Sequence, residues 1–403
     1  MKTSRRWRRW GALGAVAAAV VVAGVVAGSA IDGTAATRAA TKYTDFVGGG
    51  ANSISVETFR PSVIFVNAGD SVEFTNPYEE IHTVTFLAAG QKEPDLIVPK
   101  GPATAGPPTL IFNPQVAFPA PAQGSASFDG TSYVNSGILN KGQSFVVSFP
   151  KEGTYKFICV IHEGMEGTVQ VLRSGVTVPT QAARDFEAKT QLDAALAKGE
   201  QAAAAVQTGK STNAAGKTTW TVATGPSVSE VDVMRFIPTR LQINVGDTVT
   251  WNNTTLVPHT VTFTSGAAAP ELVLPQPSGS GPPDLVLNPQ VLFPANAGPN
   301  YDGTGYVNSG FIGAGPEATA GTSFSLTFTK AGTYTYICVL HADQGMAGTI
   351  VVGTGVTPPS TGDAGIARSP AGGRLFGLAG LGLAALLALG FLIRTRSASA
   401  TRA

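Results

Sequence analysis

One long passage of this chain is written twice. PSVIFVNAGDSVEFTN (61–76) is matched by PTRLQINVGDTVTWNN (238–253), and IHTVTF (81–86) by PHTVTF (258–263). FNPQVAFPA (112–120) is matched by LNPQVLFPA (287–295), DGTSYVNSG (129–137) by DGTGYVNSG (302–310), and GTYKFICVIH (153–162) by GTYTYICVLH (332–341). The segments recur in the same order, with small insertions between them. The period far exceeds the 20 to 50 residues of a solenoid repeat, so the pattern predicts tandem domains. At about 130 residues, each copy is long enough to close a core of its own. Their bounds are read as 42–172 and 218–353, with a linker at 173–217.

Within each copy, apolar and polar residues alternate in short runs, as in the segments holding Val63, Phe65 and Val245. The Gly69-Asp70 and Gly246-Asp247 turns close these runs. Glycine (48) and proline (27) punctuate them. The expected class is all-β, with short strands joined by turns. Charged residues make up only 13% and the net charge is +1, a balance that argues against a nucleic-acid partner.

Between the copies the texture changes. TQAARDFEAKTQLDAALAKGEQAAAAV (180–206) is rich in strong helix formers, with Thr180 placed to cap the start and Gly199 placed to break the helix. Its one aromatic residue, Phe186, suits packing onto a neighbouring domain. A solvated spacer fits the composition equally well.

Both ends are hydrophobic. Arg5, Arg6, Arg8 and Arg9 precede an apolar run from Gly11 to Ala30, so residues 1–30 read as a signal peptide or a retained N-terminal anchor. The Ser4-Arg5-Arg6 start hints at a twin-arginine signal. Leu375 to Ile393 carries no charge and as a helix spans about 28 Å, close to a bilayer core. Arg394, Arg396 and Arg402 follow it, which predicts a cytoplasmic tail at 394–403, a transmembrane helix at 375–393 and a stalk at 354–374. The expected localisation is the cell membrane, single-pass, with both repeats extracytoplasmic. PPSTG (358–362) resembles the LPxTG sorting signal, so cell-wall attachment is the alternative.

The chain has two cysteines and four histidines. In GTYKFIC, strand parity puts Tyr155, Phe157 and Cys159 on one face, which delivers the thiol inward at the strand end. His162 and Met165 follow on the turn. The second copy repeats this with Tyr334, Tyr336 and Cys338, then His341 and Met346, and His82 and His259 stand at the head of each HTVTF. Two imidazoles, a thiolate and a weak thioether are the donor set of a blue-copper site, whereas zinc rarely selects methionine. A Cys159–Cys338 disulfide and methionines acting as core filler are the plainer alternatives. Met234 belongs to neither loop and reads as packing.

These features together resemble the cupredoxins, the plastocyanin- and amicyanin-like blue-copper proteins. Each copy has the Gly-Asp turn, the single early histidine and the Cys-x2-His-xn-Met loop, in order. The resemblance implies two tandem Greek-key β-sandwiches joined by the helical linker. It also implies two type 1 copper ions, held by His82, Cys159, His162 and Met165 and by His259, Cys338, His341 and Met346. Two residues separate His162 from Met165 and four separate His341 from Met346, both within the family's range. Each copy departs from small members in the stretch between the first histidine and the cysteine, 83–158 and 260–337, which is far longer and holds a proline-rich insertion that includes Pro107-Pro108 and Pro282-Pro283. A lid, a partner surface and packing are all open roles for it.

The resemblance implies a carrier of single electrons between extracytoplasmic redox proteins, tethered to the membrane by its C-terminal helix. Copper storage or delivery without redox work is the alternative. The blue sites consume all four histidines, so no histidine-built oxygen or nitrite site remains, and no enzyme activity is expected. Glu79, Glu80, Glu163 and Glu166 flank the first site, whereas Leu256, Val257 and Pro258, with Asp343, flank the second. Negative charge stabilises Cu(II), so the first domain is expected to have the lower potential and its rim to attract a basic partner.

Overall fold

Alternation becomes burial in both copies. In Ser71–Thr75, Val72 and Phe74 are buried while their neighbours are partly exposed, and Glu166–Leu172 buries Gly167, Val169 and Val171 in the same rhythm. The computed structural model describes residues 38–101, 108–121, 125–279 and 281–353. The terminal segments read above as signal, stalk, membrane helix and tail lie outside these residues. Among the described residues, no helix is long and apolar enough to cross a membrane.

The first copy is a two-sheet sandwich. One sheet runs in the order Ile54–Arg60, Lys42–Ala51, Ser71–Thr75, Ser144–Ser148, Ser125–Ser127. The other runs Val63–Asn67, Glu166–Leu172, Gly153–Ile158, Thr85–Phe86, Val134–Ser136, Pro119–Ala120. Between them an aromatic core closes, with the Phe157 ring 5.0 Å from Phe74 and 5.1 Å from Phe86. The second copy repeats the plan around Trp251, Phe263 and Tyr336. The Gly-Asp turns form as expected. Gly69 and Gly246 adopt φ +94° and +86°, and the two carboxylates accept backbone N–H groups from Thr41 and Asn67 and from Thr218 and Asn244.

The copies are not beads on a string; they share backbone in one compact unit. Val231–Val233, from the second copy, adds to the edge of the first copy's sheet, with Val231 opposite Val56, Asp232 opposite Ser55 and Val233 opposite Ile54. The proline-rich insertions also meet. Ile97–Pro99 and Leu110–Phe112 of the first pair with Val273–Gln276 and Asp284–Leu287 of the second in a four-stranded sheet, joined at Ile111 and Val286. Phe112, Ile138, Leu285, Leu287, Leu292 and Phe311 pack beneath it in a common core. Of the three roles left open for the insertions, the structure shows packing: they fasten the two copies face to face.

The linker helix spans Gln181–Ala205, and Thr180 caps it by accepting the Ala183 N–H. Two expectations about it fail. Phe186 does not pack on a domain; it is 75% exposed. Gly199 does not break the helix; it is buried, and it lets the helix lie against both copies. A Cβ there would stand 2.7 Å from Ile54 Cγ2 and 3.0 Å from Val231 Cγ1, one residue from each copy. Alanine normally favours a helix over glycine by about 1 kcal/mol. Here Gly199→Ala is expected instead to destabilise by about 1–3 kcal/mol through overpacking. Thermal unfolding of the metal-free protein checks the sign, and a raised midpoint would show that the helix does not clamp this seam.

Candidate metal centres

Cys159 follows the strand Gly153–Ile158 and is buried, as parity requires. The chain then turns back on itself. The Cys159 N–H donates to Met165 O at 3.0 Å, and the Met165 N–H to His162 O at 3.1 Å. In the second copy, the Cys338 N–H donates to Met346 O at 3.0 Å and the Met346 N–H to His341 O at 3.1 Å. Both methionines are buried in the same core clusters as their cysteines.

The early histidines arrive from the opposite direction. His82 exchanges backbone hydrogen bonds with Leu139, and His259 with Ile312. Asn76 Nδ2 donates to Glu80 O and Leu139 O, tying the histidine loop to that bridge, and Asn253 does the same through Val257 O and Ile312 O. The next residue addresses the sulfur. The Thr83 N–H donates to Cys159 Sγ at 3.3 Å and the Thr260 N–H to Cys338 Sγ at 3.3 Å, while each threonine Oγ1 accepts the N–H following the cysteine. These asparagines and threonines escaped the sequence reading, although both repeats carry them (Asn76 with Asn253, Thr83 with Thr260).

The donors converge. In the first copy, Cys159 Sγ lies 3.8 Å from His82 Nδ1 and 3.6 Å from His162 Nδ1. In the second, Cys338 Sγ lies 3.8 Å from His259 Nδ1 and 3.3 Å from His341 Nδ1, with the two Nδ1 atoms 3.0 Å apart. Bonds of about 2.0–2.3 Å to an ion centred in a trigonal set would hold such donors roughly 3.5–3.8 Å apart. The first set matches this spacing and the second is a few tenths of an ångström tighter, so both fit a metal that draws its donors slightly apart. Both cysteines are free, which removes the disulfide reading.

Charge is arranged to match. Burial pushes the Cys159 thiol up, but hydrogen bonds from His162 and His82 overcome it and hold the thiol well below its usual range. Cys338 behaves likewise, with the His341 charge the leading opposing influence. Burial pushes His162 and His341 down, but the charge of Glu57 at the first and of Cys338 at the second turns both shifts upward, so thiol and imidazole favour the charged pair and metal binding would compete with the imidazole proton.

Glycines make room for the early histidines. Gly48 has φ +64°, and a Cβ there would stand 2.0 Å from His82 Nε2; Gly225 has φ +68°, and a Cβ there would stand 2.8 Å from His259 Nε2. Gly48→Ala adds left-handed strain of about 1–3 kcal/mol to that collision. It is expected to cost the first copy its metal and leave the second intact, as read by metal content per chain; full occupancy of both would contradict this placement of His82.

The first centre has an acidic neighbour that the sequence reading missed. Glu57, on Ile54–Arg60, is buried, with Oε2 3.6 Å from His82 Nε2 and 3.5 Å from His162 Nδ1. Alignment of Pro61 with Pro238 puts Met234 at the equivalent position in the second copy, buried in the cluster holding Cys338 and Met346. The repeat register was the signal that could have exposed this contrast. Of the flanking acids named from sequence, Glu80 is buried beside His162, Glu79 pairs with Lys141, and Glu163 and Glu166 are exposed. The second centre's Leu256, Val257 and Pro258 line the same large cleft as His162 and His341.

The family profile for copper binding proteins of the plastocyanin/azurin family matches residues 47–172 and 222–353, well over half of the chain. The chain belongs to the plastocyanin/azurin family of copper-binding proteins. Amicyanin of Paracoccus denitrificans is 30% identical over 131 residues, covering 32% of this chain and 68% of the relative. Plastocyanin of Scenedesmus fuscus is 32% identical over 117 residues, covering 29% of this chain and 85% of the relative. The crystal structure of amicyanin from Paracoccus versutus is 15% identical, with a TM-score of 0.20, covering 32% of this chain and 80% of that one; the assignment rests on the sequence matches. As a plastocyanin/azurin-family protein with two tandem cupredoxin domains, the chain is of the blue-copper electron-transfer kind.

Proposed function

We propose that each domain holds one type 1 copper and that the protein carries single electrons between redox partners. The observation that supports this most is the convergence, in each domain, of a cysteine and two histidines whose donor atoms lie within 4.8 Å of one another. Bound copper would supply one-electron redox chemistry. The residues do the rest. Cys159 with His82 and His162, and Cys338 with His259 and His341, would hold the ion, with Met165 and Met346 as weaker thioether donors. The N–H groups of Thr83 and Thr260 stabilise charge on sulfur, and the buried cores of both domains exclude water. Because the donors are fixed by backbone hydrogen bonds, the geometry would change little between oxidation states.

The electron port is read as the cleft of about 1920 Å³ that both His162 and His341 line. Glu79, Glu163, Glu230, Glu271, Glu317 and Asp343 also line it, which suits a partner with a basic surface. The partners are proposed to be extracytoplasmic redox proteins, with the chain tethered to the membrane through Leu375–Ile393 and no catalytic reaction of its own. Copper loading of the purified protein tests the reading. An intense visible band that bleaches and returns with reduction and oxidation is expected, and bound copper without such a band would favour storage or delivery instead.

A further inference from the structure

The two ligand loops meet across the seam. His162 Nε2 lies 3.6 Å from Glu80 Oε1, and the other oxygen of that carboxylate accepts a hydrogen bond from Gln344 Nε2. Gln344 sits inside the second domain's ligand loop, where its N–H donates to His341 O at 3.1 Å. Ser53 Oγ of the first domain donates to Gln344 O at 2.7 Å and holds the loop in place. Glu80 and Gln344 are each 8% exposed and His341 is 4% exposed, so the contact is largely buried where it borders the cleft. The shared four-stranded sheet and the Val231–Val233 strand fix the two domains around it.

We propose that the two centres form an internal relay, in which an electron crosses from one to the other through His162, Glu80, Gln344 and His341 within a single molecule. This rests on the reading that each domain holds a redox-active copper. The balance is simple: the reduced first centre gives up one electron, the oxidised second accepts it, and no bond or proton need move. Glu57 beside the first centre and Met234 in its place in the second favour that direction. Glu80 acts as a positioning residue for the His162 ring, and Gln344 joins that carboxylate to the His341 backbone.

The test uses the full chain loaded with copper and fully oxidised. A fast one-electron pulse reduces a fraction of the sites, and rapid-freeze spin resonance follows how the electron redistributes. Each centre's signal is assigned from the Cys159→Ser and Cys338→Ser chains. The expected redistribution has a rate independent of protein concentration, and this phase is lost in Gln344→Ala and in Gln344→Glu, which sets two carboxylates against each other. A rate that rises in proportion to protein concentration overturns the relay and leaves the carrier reading standing; failure of either centre to show a blue signal overturns the carrier reading itself. The contact has a copper-free readout as well. In urea unfolding of the metal-free chain, Glu80→Ala with Gln344→Ala should lose no more stability than the worse single variant, because the two act as a pair. Simple additivity of the losses overturns the contact.

Discussion

Replacing Cys159 with serine is expected to remove one copper per chain and about half of the visible absorbance, leaving the second domain's signal unchanged. Cys338→Ser should do the converse, and the double variant should be colourless. The size of the effect follows from chemistry. The thiolate is the soft donor that holds the ion, and the charge-transfer colour comes from its sulfur. A hydroxyl is a far poorer ligand at neutral pH. The fold should tolerate the change, because serine is slightly smaller than cysteine and its oxygen can still accept the Thr83 N–H that now reaches Sγ at 3.3 Å. Metal-free unfolding midpoints near that of the parent chain check this point. Loss of all colour from a single substitution would mean that the two domains do not hold separate centres.

The second large effect concerns potential. Glu57 Oε2 lies 3.5 Å from His162 Nδ1, a nitrogen that would hold the ion, so with a bond of about 2.0 Å the carboxylate stands within about 5.5 Å of the charge. Two unit charges at that separation interact by about 3 kcal/mol at an effective dielectric near 20. At 59 mV per tenfold for a one-electron couple, this is on the order of 100 mV. Burial raises the Glu57 pKa, and the neighbouring His162 and His82 oppose that rise; a bound cation favours the carboxylate further. Glu57→Gln, or Glu57→Met to copy the second domain, should therefore raise the first centre's potential by that order and leave the second centre nearly unchanged. Redox titration of each centre in the full chain reads both shifts. An unmoved or lowered first potential would show that Glu57 is not the source of the asymmetry. The acidic rim expected from sequence contributes less, because Glu163 and Glu166 are exposed and screened by solvent.

What could be read from the chain alone divides along a physical line. The donor loops were legible because they are local: a cysteine at a strand end followed within a few residues by histidine and methionine needs only strand parity to place it. The tandem organisation was legible because the repeat preserves motif order over its whole length. Contacts between the two copies were not. The insertions looked like loops; each forms a two-stranded hairpin, and the hairpins join across the copies at Ile111 and Val286. Glu57 is far from His82 in sequence and meets it only where Ile54–Arg60 crosses the sandwich. In the helix, intuition from side-chain size pointed the wrong way. The large apolar Phe186 faces solvent, while Gly199 is buried because close approach to Ile54 and Val231 leaves no room for a side chain.

The central claim is that sulfur and nitrogen donors in each domain close on a redox-active copper of their own. Copper analysis of the purified full chain, with its visible and spin-resonance spectra recorded before and after reduction, tests this most directly. Two coppers per chain are expected, both giving the spectrum of a thiolate-bound type 1 site and both silenced by reduction. A chain that binds one copper or none, or binds copper without the thiolate band, would contradict it.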